Sequence, residues 1–506
     1  MSRLVAISNR VGPLSDEGRA GGLAVGLADA LRQRGGIWFG WSGETSDEGT
    51  HGPLHTTTEG KVNLVTVDMT QADLNAFYTG FANQSLWPVL HYRTDLANYD
   101  RRNAETYDRI NERIGARVSA LLQPGDLVWV HDYHFIPLGE KIRAGGYTGA
   151  IGFFLHVPFP PPEVITTLPH AHRLVRSMLS YDLVGFQTKI DRDNFARFLT
   201  TEFNGGEIGD GWVEAAGRKV HAGVFPIGID TQRFASFATG ADAKRRFDQL
   251  RSVLHDRKQI IGVDRLDYSK GIPERLRAFE RLLEDYPENR NKASFLQVAP
   301  ISRGDVEAYA ELRRELEELA GHINGIYGLL DWTPVRIMTR GFARRGLAGL
   351  YRASHVALIT PLRDGMNLVA KEYVAAQDPE GPGVLVLSRF AGAAAEMHEA
   401  LIVNPYDISE VAEALQRALQ MPLEERKRRW TALIETISQR NARNWCDSFL
   451  DALEAAIIRR REEETKREPD PDPDDDMGEV TPFSKAATTP RMRIKNRSSV
   501  GPTALN

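Results

Sequence analysis

The stretch Thr360-Pro361-Leu362-Arg363-Asp364-Gly365-Met366-Asn367-Leu368-Val369-Ala370-Lys371-Glu372-Tyr373 holds the most informative set of chemical groups in the chain. An apolar, strand-like run over 356–360 leads into it, Gly365 allows a tight turn, and a helix is predicted to begin just beyond. The unbonded N–H groups that open a helix, here at residues 366–369, form an anion site. Asp364 lies before that helix and Glu372 two turns into it. Their carboxylates can accept hydrogen bonds from hydroxyls on either side of the anion. The layout suits a nucleoside diphosphate sugar, with phosphates at the helix end, ribose on Glu372 and sugar hydroxyls on Asp364. Two unrelated surface acids would show the same spacing, so that alternative stays open on these residues alone.

Other strand ends add cations and imidazoles. Val263-Asp264-Arg265-Leu266-Asp267-Tyr268-Ser269-Lys270-Gly271 places Arg265 and Lys270 on one loop, and Arg303 follows the next strand. Arginine forks onto two phosphate oxygens and lysine supplies a point charge. Trp129-Val130-His131-Asp132-Tyr133-His134 closes another apolar run, and a further run delivers His156 to a loop stiffened by Pro158, Pro160, Pro161 and Pro162. His131, Asp132 and His134 could ligate a metal, but the spacing lacks a helix face and a clear third ligand. Gly21-Gly22 sits between the first strand and an amphipathic helix, where backbone N–H groups can approach a phosphate. It does not fit G-x-G-x-x-G, so a two-domain dinucleotide enzyme is not supported.

These loops need strands to carry them. Apolar runs at 4–9, 127–130, 151–155 and 183–186, then at 260–263, 295–298, 356–360, 384–387 and 401–403, alternate with helix-like stretches. Continuous apolar strands between helices predict parallel sheets covered on both faces. The series appears twice, which predicts an α/β chain of two doubly wound, Rossmann-like domains facing a deep cleft at the carboxyl ends of their strands. We expect residues 1–232 to form the first domain, 233–440 the second and 441–462 a helix packing back on the first. Residues 463–506, with acids to about 479 and then only bases among Pro, Ser and Thr, read as a disordered charged tail.

Composition narrows the classes. The 506 residues carry 63 basic and 68 acidic side chains, a net charge of −5, so no global positive field favours nucleic acid. One cysteine, Cys446, cannot make an internal disulfide or a cysteine-based zinc site. No apolar run reaches the ~20 residues of a membrane helix, and the N-terminal run is shorter than the ~7–15 of a signal peptide. A cytoplasmic enzyme without nucleic-acid or membrane partners is the expectation.

Over about residues 1–455 the chain resembles the family of UDP-forming α,α-trehalose-6-phosphate synthases, retaining glucosyltransferases. The resemblance is carried by Ser8-Asn9-Arg10, Ala20-Gly21-Gly22-Leu23, Trp38-Phe39-Gly40-Trp41-Ser42-Gly43, Leu86-Trp87-Pro88, His131-Asp132-Tyr133-His134, the His156 loop, the Arg265–Gly271 run, Ser302-Arg303-Gly304-Asp305-Val306 and residues 364–377. It implies a GT-B fold, UDP-glucose as donor and glucose 6-phosphate as acceptor. By motif, Arg10, Tyr78, Trp87 and Arg303 are implied at the acceptor phosphate and Asp132 at acceptor hydroxyls. Gly21, Gly22, Arg265 and Lys270 are implied at the donor, the last two on its diphosphate, and Phe342 near the uracil. His156 and Asp364 are implied at the transferred glucose, and Met366, Asn367, Leu368, Val369, Ala370, Lys371 and Glu372 along the donor. Asp132, His156, Arg265, Lys270 and Asp364 are the expected catalytic set.

The resemblance further implies no cofactor and no metal, because Arg265 and Lys270 can neutralise departing UDP as Mg²⁺ does elsewhere. It also implies a homo-oligomer, a tetramer being one form it allows. No acidic motif after an apolar strand follows residue 460, so a phosphatase half is not expected. The alternatives are a related transferase using glycerol 3-phosphate or a pseudo-sugar as acceptor, and a non-catalytic regulatory homologue. The presence of Tyr78, Trp87 and Arg303 weighs against the first, and that of Arg265, Lys270, Asp364 and Glu372 against the second.

Overall fold

The computed structural model describes residues 2–12, 14, 27–28, 31–32, 34–301 and 307–465. Gly21, Gly22, Arg303 and the tail beyond Thr465 therefore lie outside the described residues.

Two sheets organise the chain. The first has ten strands in the spatial order His55–Glu59, Val62–Met69, Gly36–Thr45, Leu4–Arg10, Leu127–His131, Ala150–Phe154, Leu183–Phe186, Arg218–Val224, Trp212–Ala215 and Gly206–Gly209. From Val62–Met69 across to Arg218–Val224 the pairing is parallel, and antiparallel strands are added at both edges. The second sheet has six parallel strands in the order Val335–Met338, Ala293–Val298, Lys258–Val263, Val356–Ile359, Val384–Ser388 and Leu401–Val403. The central strands Leu127–His131, Ala150–Phe154 and Ala293–Val298 are buried along their whole length, which explains why they read as unbroken apolar runs. This is the predicted architecture of two doubly wound sheets.

Both sheets reverse their winding order beside their first strand. Leu4 pairs with Gly36 on one side and with Leu127 on the other. Ile260 likewise pairs with Phe295 and with Val356. Such switch points open a crevice at the carboxyl ends of the flanking strands. Arg10 and Asp132 leave the sheet at the first switch point, and Arg265 and Asp364 follow strands at the second.

The helix Ala442–Thr465 returns to the first sheet through Trp445 and Phe449. Phe449 stacks on Trp129 with ring centroids 4.6 Å apart, and Trp445 meets Phe154 edge-on at 5.3 Å. Glycine on two neighbouring strands makes this possible, since a Cβ at Gly152 or Gly185 would come within 2.8 Å of the Phe449 ring. Among the described residues no helix is long and apolar enough to cross a membrane.

Candidate active site

Lys270 is fixed from several directions. Asp267, fully buried, accepts hydrogen bonds from the Ser269 N–H at 3.0 Å and its hydroxyl at 2.8 Å, closing the short turn Tyr268–Lys270. Gly271 then adopts φ +63°, where a Cβ would also meet the Thr360 carbonyl oxygen at 2.4 Å. Arg275, fully buried and 2.7 Å from Asp264, donates to the Lys270 carbonyl at 2.9 Å. The ammonium so placed donates to Asp364 Oδ2 at 2.6 Å. Burial alone would raise the Asp364 pKa, but the Lys270 charge and hydrogen bond outweigh it and hold it below the ordinary carboxylate range.

Asn367 completes this cluster. Its amide donates to the same Asp364 oxygen at 3.1 Å, while its own oxygen accepts from the Ala370 N–H at 3.2 Å, capping the helix Leu368–Ala376. Asn367 has φ +80°, a left-handed conformation that asparagine tolerates better than most residues. A carboxylate, an ammonium and a capped helix N-terminus are thus concentrated at one point, as a diphosphate and its neighbouring hydroxyls require.

The rest of the 366–372 run divides between two faces. Leu368 and Val369 keep partial exposure, whereas Ala370 and Lys371 are completely buried. Lys371 Nζ donates to the Ile227 carbonyl at 2.8 Å and to Glu396 at 2.7 Å. These two side chains therefore point into the protein interior, which leaves their backbone as the part that could face a donor. Glu372 accepts from Arg344 Nε at 3.1 Å, and burial raises its pKa against the pull of that guanidinium. Phe342 lies between Arg246 and Arg340, 5.5 and 5.4 Å from its ring.

Across the junction, Asp132 has φ +72° and ψ 168°, a region almost confined to glycine. That strained backbone leads from the strand end into the turn Tyr133–Phe135 and brings Asp132 Oδ1 to 3.3 Å from the His156 N–H, which donates to it. His156 keeps some solvent contact, yet protein surrounds its ring and burial lowers its pKa to about 3. His131, also held well below the usual imidazole range by burial, approaches His156 Nε2 through Nδ1 at 3.1 Å. Among the described residues no three His, Cys, Asp or Glu side chains gather as a metal-ligand set.

The two halves touch here. Gly365 packs on the His156 loop so closely that a Cβ would lie 2.1 Å from the His156 carbonyl oxygen. Arg265, exposed, stands 5.7 Å from the Trp87 ring. The remaining acceptor candidates share one aromatic array: Arg10 over Trp41 at 5.7 Å, Trp41 to Tyr78 at 6.2 Å, Tyr78 stacked on His134 at 5.7 Å, and Trp87 to Tyr133 at 5.6 Å. Tyr78 lies on a wide, π-type helix, Leu74–Leu86, that runs directly into Trp87–Leu90.

Sequence reasoning missed the residues just after Trp87. The His91 ring lies tilted against Trp87, centroids 4.0 Å apart, and donates from Nδ1 to the Trp87 carbonyl at 2.8 Å. Burial lowers its pKa to about 4, with the Asp267 carboxylate opposing and the Lys270 ammonium reinforcing the shift. Arg93 lies 5.6 Å from the Tyr268 ring, and Arg363 lies between Tyr92 at 4.0 Å and Phe390 at 4.8 Å. The run His91-Tyr92-Arg93 beside a Trp-Pro pair was the available signal.

Known proteins share this organisation. The profile of glycosyltransferase family 20 matches residues 9–455. A trehalose-6-phosphate synthase of Sinorhizobium fredii is 48% identical over 463 residues, covering 91% of this chain and all of the relative. The crystal structure of a UDP-forming α,α-trehalose-phosphate synthase from Burkholderia xenovorans, in complex with glucose 6-phosphate, superposes with a TM-score of 0.86 at 47% identity, covering 90% of this chain and 100% of that one. An Escherichia coli relative bound with UDP-2-fluoro glucose gives 0.86 at 46% identity, covering 89% and 99%. With its profile matched over almost all of the described residues, the chain belongs to glycosyltransferase family 20.

Proposed function

We propose that the protein transfers glucose from UDP-glucose to glucose 6-phosphate with retention at the anomeric carbon, forming α,α-trehalose 6-phosphate and UDP. The observation that carries this reading is the Lys270–Asp364–Asn367 cluster at the mouth of a helix, packed through Gly365 against the Asp132–His156 loop. Relatives named for this reaction and crystallised with glucose 6-phosphate or a fluorinated UDP-glucose support it.

In this reading Arg265 and Lys270 neutralise the donor diphosphate, and Leu368, Val369 and Glu372 contact its nucleoside. Phe342 near the uracil and Gly21 and Gly22 on the donor rest on the resemblance. Arg10, Tyr78, Trp87 and Arg303 gather the acceptor phosphate, while Asp132 takes acceptor hydroxyls. His156 and Asp364 hold the transferred glucose. The bond from the anomeric carbon to the UDP oxygen breaks as the acceptor hydroxyl attacks from the same face, through a short-lived oxocarbenium–phosphate ion pair. The leaving phosphate oxygen takes the hydroxyl proton. Asp364 is tied to Lys270, and the motifs place no carboxylate behind the anomeric carbon for a double displacement. The protein supplies orientation and charge.

The reading places the protein in the cytoplasm, as a homo-oligomer of two Rossmann-like domains (1–232 and 233–440). A matrix of nucleotide-sugar donors against phosphorylated acceptors, with product identification, tests it. UDP release with glycerol 3-phosphate but not with glucose 6-phosphate would sink the assignment. Turnover should also survive EDTA, since two fixed cations stand at the diphosphate; loss with rescue by Mg²⁺ would remove them from that role.

A further inference from the structure

The segment joining the two sheets passes through Ile227, and both halves hold its backbone. The Ile227 carbonyl accepts from Lys371 Nζ at 2.8 Å, from the second half. The Ile227 N–H donates to Gln187 Oε1 at 2.9 Å, from the first half. Nearby, a Cβ at Gly228 would lie 1.9 Å from the Arg440 carbonyl oxygen, so the outgoing and returning crossings pass in direct contact.

Gln187 is buried, with 2% exposure, and its other amide atom, Nε2, lies 3.4 Å from His156 Nδ1. A backbone N–H can only donate. It therefore fixes Gln187 with its oxygen toward Ile227 and its NH₂ toward His156, because the flipped amide would set two donors against each other at the linker. His156 Nδ1 must then accept. The neutral ring carries its proton on Nε2 and donates to His131 Nδ1 at 3.1 Å. His131 in turn carries its proton on Nε2, a buried atom without a hydrogen-bond partner among the described residues, with its ring packed on Trp129 at 4.5 Å. One linker N–H thus dictates the tautomers of two successive histidines, the nearer of which lies against the Gly365 turn.

We propose that Gln187 is a positioning residue that relays the seating of the interdomain linker at Ile227 to His156, fixing the tautomer and orientation of that ring for glucosyl transfer. The proposal deepens the proposed function and rests on its placement of His156 at the transferred glucose. Both ring nitrogens are occupied, so the ring cannot rotate without breaking the relay, and the loop carrying Asp132's partner N–H is held with it.

The test uses full-length protein labelled with ¹⁵N-histidine, as wild type, Gln187→Glu and Gln187→Leu, with His131 and His156 assigned by single replacement. Glutamate keeps an acceptor for the Ile227 N–H but turns an acceptor toward His156, so the relay should reverse. In wild type, nitrogen shifts should show the His156 proton on Nε2. In Gln187→Glu the proton should appear on Nδ1. The kcat should fall about 3–10-fold in both variants, the size of one neutral hydrogen bond, while UDP affinity moves less than about twofold. A wild-type proton on Nδ1, a reversed tautomer with unchanged kcat, or an equal loss of UDP affinity would each overturn the proposal. Wild-type protein that transfers no glucose would instead sink the reaction reading, and the nitrogen shifts would still decide the tautomer relay.

Discussion

On the wall contributed by the ten-stranded sheet, Arg10 and Asp132 stand among aromatic rings and histidines that burial keeps neutral: His91, His131 and His156. On the wall contributed by the six-stranded sheet are salt bridges: Lys270 with Asp364, Arg275 with Asp264, Arg344 with Glu372. The first wall orients through shape and hydrogen-bond polarity. The second carries cations, each balanced by a carboxylate. In the proposed reaction the departing nucleoside diphosphate needs fixed positive charge, which the second wall carries, whereas the acceptor needs placement, which falls to the first.

The largest effect should follow from unbalancing the charged wall. Lys270→Met removes the cation and leaves Asp364 buried without it. Turnover should fall about 10²–10³-fold, and stability by about 3–5 kcal/mol. Adding Asp364→Asn should recover most of the stability but none of the rate. Melting temperature and kcat of the single and double variants separate the two effects, and a double variant that regains activity would remove Lys270 from the diphosphate.

Acid should expose the walls one after the other. A histidine whose folded pKa lies below its unfolded ~6.5 gives stability that is complete above that value and is lost as pH falls toward the folded one. His91, at about 4, and His156, at about 3, therefore begin to destabilise the protein below pH ~6.5, each by on the order of 3 kcal/mol once pH nears 4. His355, before the strand Val356–Ile359, adds to this step with a value of about 4. Asp364 is depressed, so its contribution persists above ~3.9 and disappears only as pH drops through its lower folded value. Urea unfolding at pH 7, 5, 4 and 3 should show the first loss by pH 4 and the second only below it. A flat response down to pH 4 would mean that these imidazoles are not buried neutral.

Gly365→Ala tests whether the walls must touch. Its Cβ would sit 2.1 Å from the His156 carbonyl oxygen, so the loops must part. A displacement near 1 Å should lower kcat by about 100-fold while UDP still binds. Unchanged kcat would show that the contact is not used in turnover.

Much of this was legible in the chain. The central strands are buried on both faces and announce themselves as apolar runs. The edge strands His55–Glu59 and Gly206–Gly209 are largely exposed and carry no such signal. The helix after Asp364 was legible, but the burial of its individual side chains was not. Leu368 and Val369 keep partial exposure, while Ala370, Lys371 and Glu372 are buried. Gln187 could not be found from its neighbours, because its meaning comes from Ile227, forty residues on, and from His156. Likewise His91 gains its surroundings from loops of the other sheet. Spacing along one element shows which side chains share a face; it says nothing about what another element brings to it.

The smallest change, and one of opposite sign, is expected at Asp132. Its φ of +72° with ψ of 168° lies where side chains other than hydrogen crowd the backbone, at a cost of about 1–3 kcal/mol. Asp132→Gly removes that strain, and the greater freedom of glycine in the unfolded chain gives back about 0.5–1 kcal/mol. Stability should therefore rise by about 1 kcal/mol, while kcat/KM for the acceptor falls because the carboxylate that holds the His156 N–H is gone. Asp132→Ala keeps the strain and loses the same carboxylate, so it should lose activity equally with no gain in stability. Chemical denaturation and acceptor kinetics on the pair distinguish the contributions. If glycine and alanine variants are equally stable, the backbone at Asp132 is not strained, and the first wall owes its geometry to packing alone.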